Sequence, residues 1–154
     1  MGHENLHANL EVELRFSADP AGLEVAARSD LLRAAAVEPA EELVSTYFDT
    51  PSHALRRDGV ALRLRAQASG AALAQLKCAH GDGYDPFAQE ELEAPAAADA
   101  PDLSAFPSDV AQRLAQTIGE EPLSPQFATF IQRSVRRLSR GGAEIEVAFD
   151  EGTI

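Results

Sequence analysis

Residues 10–16 (LEVELRF) alternate without a break, with Leu10, Val12, Leu14 and Phe16 on one side and Glu11, Glu13 and Arg15 on the other. A period of two is the signature of a β-strand with one apolar and one charged face. The pattern recurs along the chain. Residues 60–66 (VALRLRA) set Leu62 and Leu64 against Arg63 and Arg65, and after a turn at Gly70 residues 72–78 (ALAQLKC) carry Gln75 and Lys77 on the polar side. Residues 87–94 place Glu91 and Glu93 on a common face. Residues 127–138 and 143–150 read as a hairpin across Gly141-Gly142. Arg133 and Arg137 are polar positions of its first arm, and Glu144, Glu146 and Asp150 of its second. Residues 44–48 form a further short strand ended by Asp49-Thr50-Pro51. The expectation is seven strands, mostly antiparallel.

Helical signals separate these strands. Asp19-Pro20 reads as an N-cap and first helical position, followed by Leu23, Ala26, Ala27 and Leu31 at helical spacing. A short turn or helix carries residues 53–57. Ser108 is expected to cap a second principal helix with Val110, Ala111, Leu114 and Ile118 on one face and Gly119 at its end. Gly81, Gly83 and Pro86 mark a loop, and residues 94–107, rich in Ala, Pro and Asp, an exposed connection.

The charges of the strands segregate by sign: Glu-x-Glu on three, Arg-x-Arg or Lys on the others. A polar sheet face ordinarily lies in water, and such faces usually mix signs with Ser, Thr and Gln. The apolar faces here need covering, which two helices can supply from outside. A sheet curled into a barrel with outer helices would then carry its charges in the lumen. Guanidinium and ammonium groups in such a lumen neutralise a phosphate chain. Carboxylates two residues apart on one strand point the same way and offer hard oxygen ligands to Mg²⁺ or Mn²⁺. Metals so held bridge phosphate oxygens and orient water for in-line attack. The arrangement implies phosphoryl chemistry on a polyanion and leaves open which one.

Glu11-Val12-Glu13-Leu14-Arg15 resembles the N-terminal ExExK signature of the CYTH, or triphosphate tunnel metalloenzyme, superfamily. The resemblance continues in order through Tyr47-Phe48-Asp49-Thr50-Pro51, Leu62-Arg63-Leu64-Arg65, Gln75-Leu76-Lys77 and Glu91-Leu92-Glu93. It ends with Arg133, Glu144-Ile145-Glu146 and Asp150-Glu151-Gly152. The sequence most resembles the bacterial inorganic triphosphatase branch, often fused to a CHAD domain. This implies an α+β fold, an antiparallel β-barrel or tunnel with outer helices, that binds or hydrolyses triphosphate with Mg²⁺ or Mn²⁺. By the same resemblance Arg63, Arg65, Lys77 and Arg133 grip phosphate, helped by Arg15, which stands where the family has Lys. Glu11, Glu13, Glu146 and Asp150 are the implied catalytic carboxylates. They hold or orient metal together with Glu144, and Glu91 and Glu93 support the site or orient its cations. The family continues beyond Ile154 with a further strand bearing another Glu-x-Glu pair. The expected domain is therefore 9–154, lacking its last strand, after a flexible extension over 1–8. Open barrel edges would then favour a homodimer.

Among 154 residues, 25 are acidic and 13 basic, a formal net charge of −12, which argues against nucleic acid and anionic membranes as partners. No apolar run approaches the roughly 20 residues of a transmembrane helix. Residues 1–8 lack the basic start and apolar core of a signal peptide. With one cysteine, Cys78, read as a small apolar residue, the expected location is cytoplasmic. His3 and His7 lie in the polar extension and His53 and His80 beside turns, so no Ser-His-Asp site is supported. Within the CYTH resemblance, thiamine triphosphatase and class IV adenylate cyclase use the same lumen as inorganic triphosphatase. A non-catalytic polyphosphate- or nucleotide-binding module, and a plain β-domain with a solvated face, are the readings from other classes.

Overall fold

The computed structural model describes residues 9–67, 70–79, 88–97 and 99–154. Its elements, in order, are β1 (Asn9–Val12), α1 (Pro20–Ala27), α2 (Asp30–Arg33), β2 (Ala36–Val37), β3 (Glu41–Asp49) and α3 (Ala54–Arg57). Then come β4 (Val60–Ala66), β5 (Ala72–Ala79), β6 (Ala88–Ala96), a 3-10 turn at Leu103–Ala105, α4 (Ser108–Ile118), β7 (Ser124–Arg140) and β8 (Ala143–Thr153). The eighth strand among the described residues, beyond the seven expected, is the two-residue β2. The contacts sort into two compact units, divided at Leu14/Arg15, Leu43/Val44 and Ala128/Thr129.

In the first unit the antiparallel order is β1-β6-β5-β4-β3. Leu62 pairs with Leu76 and Leu76 with Leu92, so one row of apolar side chains crosses three strands. Leu62, Leu64, Ala74, Leu76, Leu92 and Ala94 are buried together with Leu55, Phe106, Leu114 and Ile118. Each buried Leu or Phe contributes about 1.5–3 kcal/mol, and the helical residues at 114 and 118, one turn apart, supply the cover that the alternating strands require. Phe106 belongs to this core, so the connection over 94–107 is not wholly exposed. Pro107, not Ser108, is the N-cap of α4, and no side chain caps it. Gly119 ends the helix at φ 64°, a conformation that favours glycine.

The turn after β3 is built by Asp49. Its Oδ1 accepts from the backbone N–H of Thr50 (2.7 Å) and Leu55 (3.0 Å), and its Oδ2 from Arg56 (3.1 Å). Thr50 Oγ1 accepts from Ala54 N–H at 3.0 Å. These two side chains satisfy the orphan donors at the start of α3.

In the second unit β7 pairs with β8 from Phe130↔Thr153 to Arg140↔Ala143, and with β2 at Ala36↔Arg137 and Val37↔Arg136. Asp19 caps α1 as expected, its Oδ1 accepting from Gly22 N–H at 2.7 Å. The helix stops at Ala27, however, and α2 begins after Ser29. Leu31 is therefore 53% exposed, and Leu32 is the buried residue of this segment. The N-terminal strand is also shorter than its alternation predicts: β1 ends at Val12, opposite Ala88. Leu14 and Phe16, beyond its end, are exposed.

Candidate functional site

The polar face of the first unit is a row of cross-strand neighbours. Tyr47, Arg63, Gln75 and Glu93 are successive register partners across β3, β4, β5 and β6, and Lys77 pairs with Glu91 beside them. Arg63 Nε donates to Gln75 Oε1 at 2.8 Å, and its Nη1 to the Tyr47 hydroxyl at 3.1 Å. Gln75 Nε2 in turn donates to Glu93 Oε1. Glu91 serves two cations, Lys77 Nζ at 3.2 Å and Arg63 Nη2 at 3.8 Å. All three side chains are only 16–17% exposed. Arg65 Nε donates to Ser45 Oγ at 3.4 Å. The Arg63 guanidinium lies 5.9 Å from the Tyr47 ring centre, and that ring stacks on Phe127 at 4.6 Å.

Gln75 is itself buried and fixes Arg63 from one side while Glu91 steadies it from another. The result is a pre-organised cationic surface: long side chains locked by neighbours lose little freedom when an anion arrives. Glu91 is thus paired with two cations, and Glu93 with the glutamine that contacts one of them. β1 pairs Asn9 with Glu91 and Glu11 with Gln89. The side chain of Glu11 lies outside the described residues. Glu13 follows the end of β1 and is half-buried, and Arg15 is exposed at the start of the second unit.

The second unit gathers the other residues singled out from the sequence. Arg133 Nε and Nη2 donate to the two carboxylate oxygens of Asp150, each at 2.7 Å, a bidentate pair across the Arg133↔Asp150 register. Arg137 pairs with Glu146 Oε2 at 2.7 Å and with Glu38 through its Nε. The hydrogen bond to Glu38, then the Glu146 carboxylate, push the Arg137 pKa up from its ordinary value. Glu144 accepts from the Ser139 hydroxyl. Glu144, Glu146 and Asp150 share one parity of β8, opposite Ser139, Arg137 and Arg133.

Arg137, Glu38, Gln75 and Tyr47 belong to these clusters without having been assigned a site role. Arg137 carried a signal, its even spacing from Arg133; Glu38 carried none. Oxygen donors suited to a hard divalent cation are present on β8 at two-residue spacing. Glu146 and Asp150 are engaged by arginines, and among the described residues no three carboxylate, His or Cys side chains form a metal-binding group.

The antiparallel sheet with its cationic and acidic strands defines a class of protein. The CYTH domain family model matches residues 9–154, and the chain belongs to the CYTH family. Proteins of this family bind triphosphate substrates, and its enzymes use divalent metals. The chain is similar to the crystal structure of a candidate adenylate cyclase from Bacillus halodurans, with a TM-score of 0.56 and 16% identity, covering 94% of this chain and 81% of that one. That likeness shows the fold, the mostly antiparallel CYTH sheet with a few helices. A candidate adenylyl cyclase from Hippeastrum, a protein with a dominant triphosphatase activity, aligns with a TM-score of 0.45 and 17% identity over 92% of this chain and 77% of that one. Comparison with curated proteins returns no match. Among the described residues no helix is long and apolar enough to cross a membrane.

Proposed function

We propose that the chain hydrolyses inorganic triphosphate with a divalent metal, Mg²⁺ or Mn²⁺. The observation that carries this reading is the cluster of Arg63 and Lys77 on Glu91, with all three side chains 16–17% exposed. A solvated sheet face gives no reason to hold a guanidinium and an ammonium this far from water on one carboxylate. A site that exchanges part of that pairing for a polyanion does.

In this reading Arg63, Arg65 and Lys77, with Arg133 and Arg15, bind and neutralise the phosphates. Tyr47 and Gln75 hold Arg63 in place, and Glu91 and Glu93 position the cations. Glu11, Glu13, Glu144, Glu146 and Asp150 are the side chains that would hold metal. A metal held there would supply Lewis acidity toward the phosphates and would lower the pKa of a water, making hydroxide available as the nucleophile. A second reading, a non-catalytic triphosphate-binding module, is favoured by the pairing of Glu146 and Asp150 with arginines.

Cytoplasmic location and association through sheet edges accompany the proposal; β1 and β8 each pair with a single strand among the described residues. A CHAD partner domain and a homodimer have no support among the comparisons; the first is an expectation of the sequence resemblance, the second of the open sheet edges.

The test is a product assay on inorganic triphosphate, thiamine triphosphate and ATP with either metal. Phosphate release fastest from inorganic triphosphate is expected. Cyclic AMP as the dominant product, or preference for thiamine triphosphate, would replace the substrate assignment. Binding of triphosphate without turnover would favour the second reading.

A further inference from the structure

The alternation of β7 puts Arg136 on the opposite side of the strand from Arg133 and Arg137. Its cross-strand partner there is Val147, and the flanking pairs are Ser134 with Phe149 and Leu138 with Ile145. This is the apolar side of the β7–β8 hairpin. A guanidinium placed on such a side needs its donors satisfied. Arg136 Nη1 is nevertheless buried with no hydrogen-bond partner among the described residues.

Beside it is an open cleft of about 410 Å³ lined by Ala27, Arg28, Leu32, Arg33, Val37 and Arg136. Three of these six residues are arginines, and none is acidic. Glu24 and Asp30 lie outside the lining and pair with Arg28 and Arg33 in largely exposed contacts. In a chain with a net charge of −12, three guanidiniums around one cleft without a lining carboxylate stand against the composition. An unpartnered, buried donor adds a direct demand for an acceptor.

We propose that this cleft is a second anion site, separate from the Arg63–Lys77 cluster, that takes a small organic phosphate. The phosphate answers the guanidiniums, whose forked donors match its oxygens. The organic body follows from size and lining. The volume lies within the roughly 300–1,000 Å³ range of small-molecule pockets, more than one phosphate fills, and Ala27, Leu32 and Val37 offer hydrocarbon contact. Val37 pairs directly with Arg136 in the β2–β7 ladder, so an occupant would bridge strand and helix residues of the same unit.

The test uses phenyl phosphate and inorganic phosphate as probes, titrated calorimetrically into the full chain and into Lys77→Ala, Arg136→Met and Arg28→Ala/Arg33→Ala variants. Phenyl phosphate should bind the wild type and Lys77→Ala alike. It should bind Arg136→Met and the double variant at least tenfold more weakly, and inorganic phosphate should bind the wild type more weakly than phenyl phosphate does. Arg136→Met is expected to melt higher than the wild type without ligand, because a buried donor nitrogen without an acceptor is removed. Should that variant fail to fold, the double variant, which alters only exposed side chains, decides the question. Affinity unchanged in the double variant, affinity lost in Lys77→Ala, or no binding to the wild type would overturn the site. Equal affinity for the two probes would overturn the organic ligand.

Discussion

Replacing Glu91 by Gln removes the anion shared by Lys77 and Arg63 while keeping size and hydrogen-bonding capacity. At separations of 3.2 and 3.8 Å, and an effective dielectric of about 20, the gross attractions are about 5 and about 4 kcal/mol. Net effects are smaller, because water and neighbouring dipoles reorganise around the cations. Breaking a fully buried pair costs about 3–5 kcal/mol. With these side chains 16–17% exposed, we expect about 2–3 kcal/mol for Glu91→Gln, slightly below that range. For a domain of this size each kcal/mol moves Tm by about 2–4 °C, so a fall of about 4–12 °C should appear in a thermal melt without ligand. Triphosphate should narrow the gap, since it supplies the missing negative charge and no longer competes with Glu91. The same melts with saturating triphosphate measure that recovery. A Tm unchanged by the substitution, or a deficit identical with and without triphosphate, would refute the view of Glu91 as a stand-in for the substrate's charge.

Asp49→Ala strips acceptors from three backbone N–H groups and should cost about 2–4 kcal/mol in urea denaturation at an unchanged m-value, with Asp49→Asn recovering part of it. Gly152→Ala should cost about 1–3 kcal/mol by the same method, because an added Cβ would collide with the Phe130 carbonyl oxygen and meet Ile131 Cδ1 at 2.7 Å. Burial, opposed by Arg113 and reinforced by Glu90 and Asp58, raises the Cys78 thiol above its ordinary 9.0. Alkylation by iodoacetamide at pH 8 should therefore be slower than for a free cysteine. The sign for stability follows: the neutral thiol is the form the fold favours, so its contribution is complete below pH 9 and declines as pH rises through the raised value. A free-cysteine rate at pH 8 would refute the assignment.

The strands were legible because a two-residue period over five or more positions has no helical counterpart. β4 begins and ends where the alternation of residues 60–66 does. Extents were less legible where something other than periodicity sets them. β7 begins at Ser124 and runs through Pro125, a residue that ordinarily argues against a strand and is tolerated at strand starts. The cationic row was visible in Arg63, Arg65 and Lys77, but the residues that fix it were not. Gln75 looked like one more polar position, and only the register with Arg63 and Glu93 gives it a role. Asp49 read as a strand terminator, whereas its work depends on α3 folding back over the carboxylate. Glu38 meets Arg137 from 99 residues away, a contact no local pattern encodes. Arg136 was passed over beside Arg133 and Arg137, because its meaning lies in being on the other side.

The central claim is that bound triphosphate is hydrolysed with metal held by carboxylates of this chain. Its most direct test is phosphate release from inorganic triphosphate by the wild type and by Glu146→Gln, with Mg²⁺ or Mn²⁺ and after chelation. The account predicts release that requires metal, stops on chelation and falls at least a hundredfold in Glu146→Gln while triphosphate still binds. Release by the wild type that is indifferent to chelation, or wild-type turnover in Glu146→Gln, would contradict it.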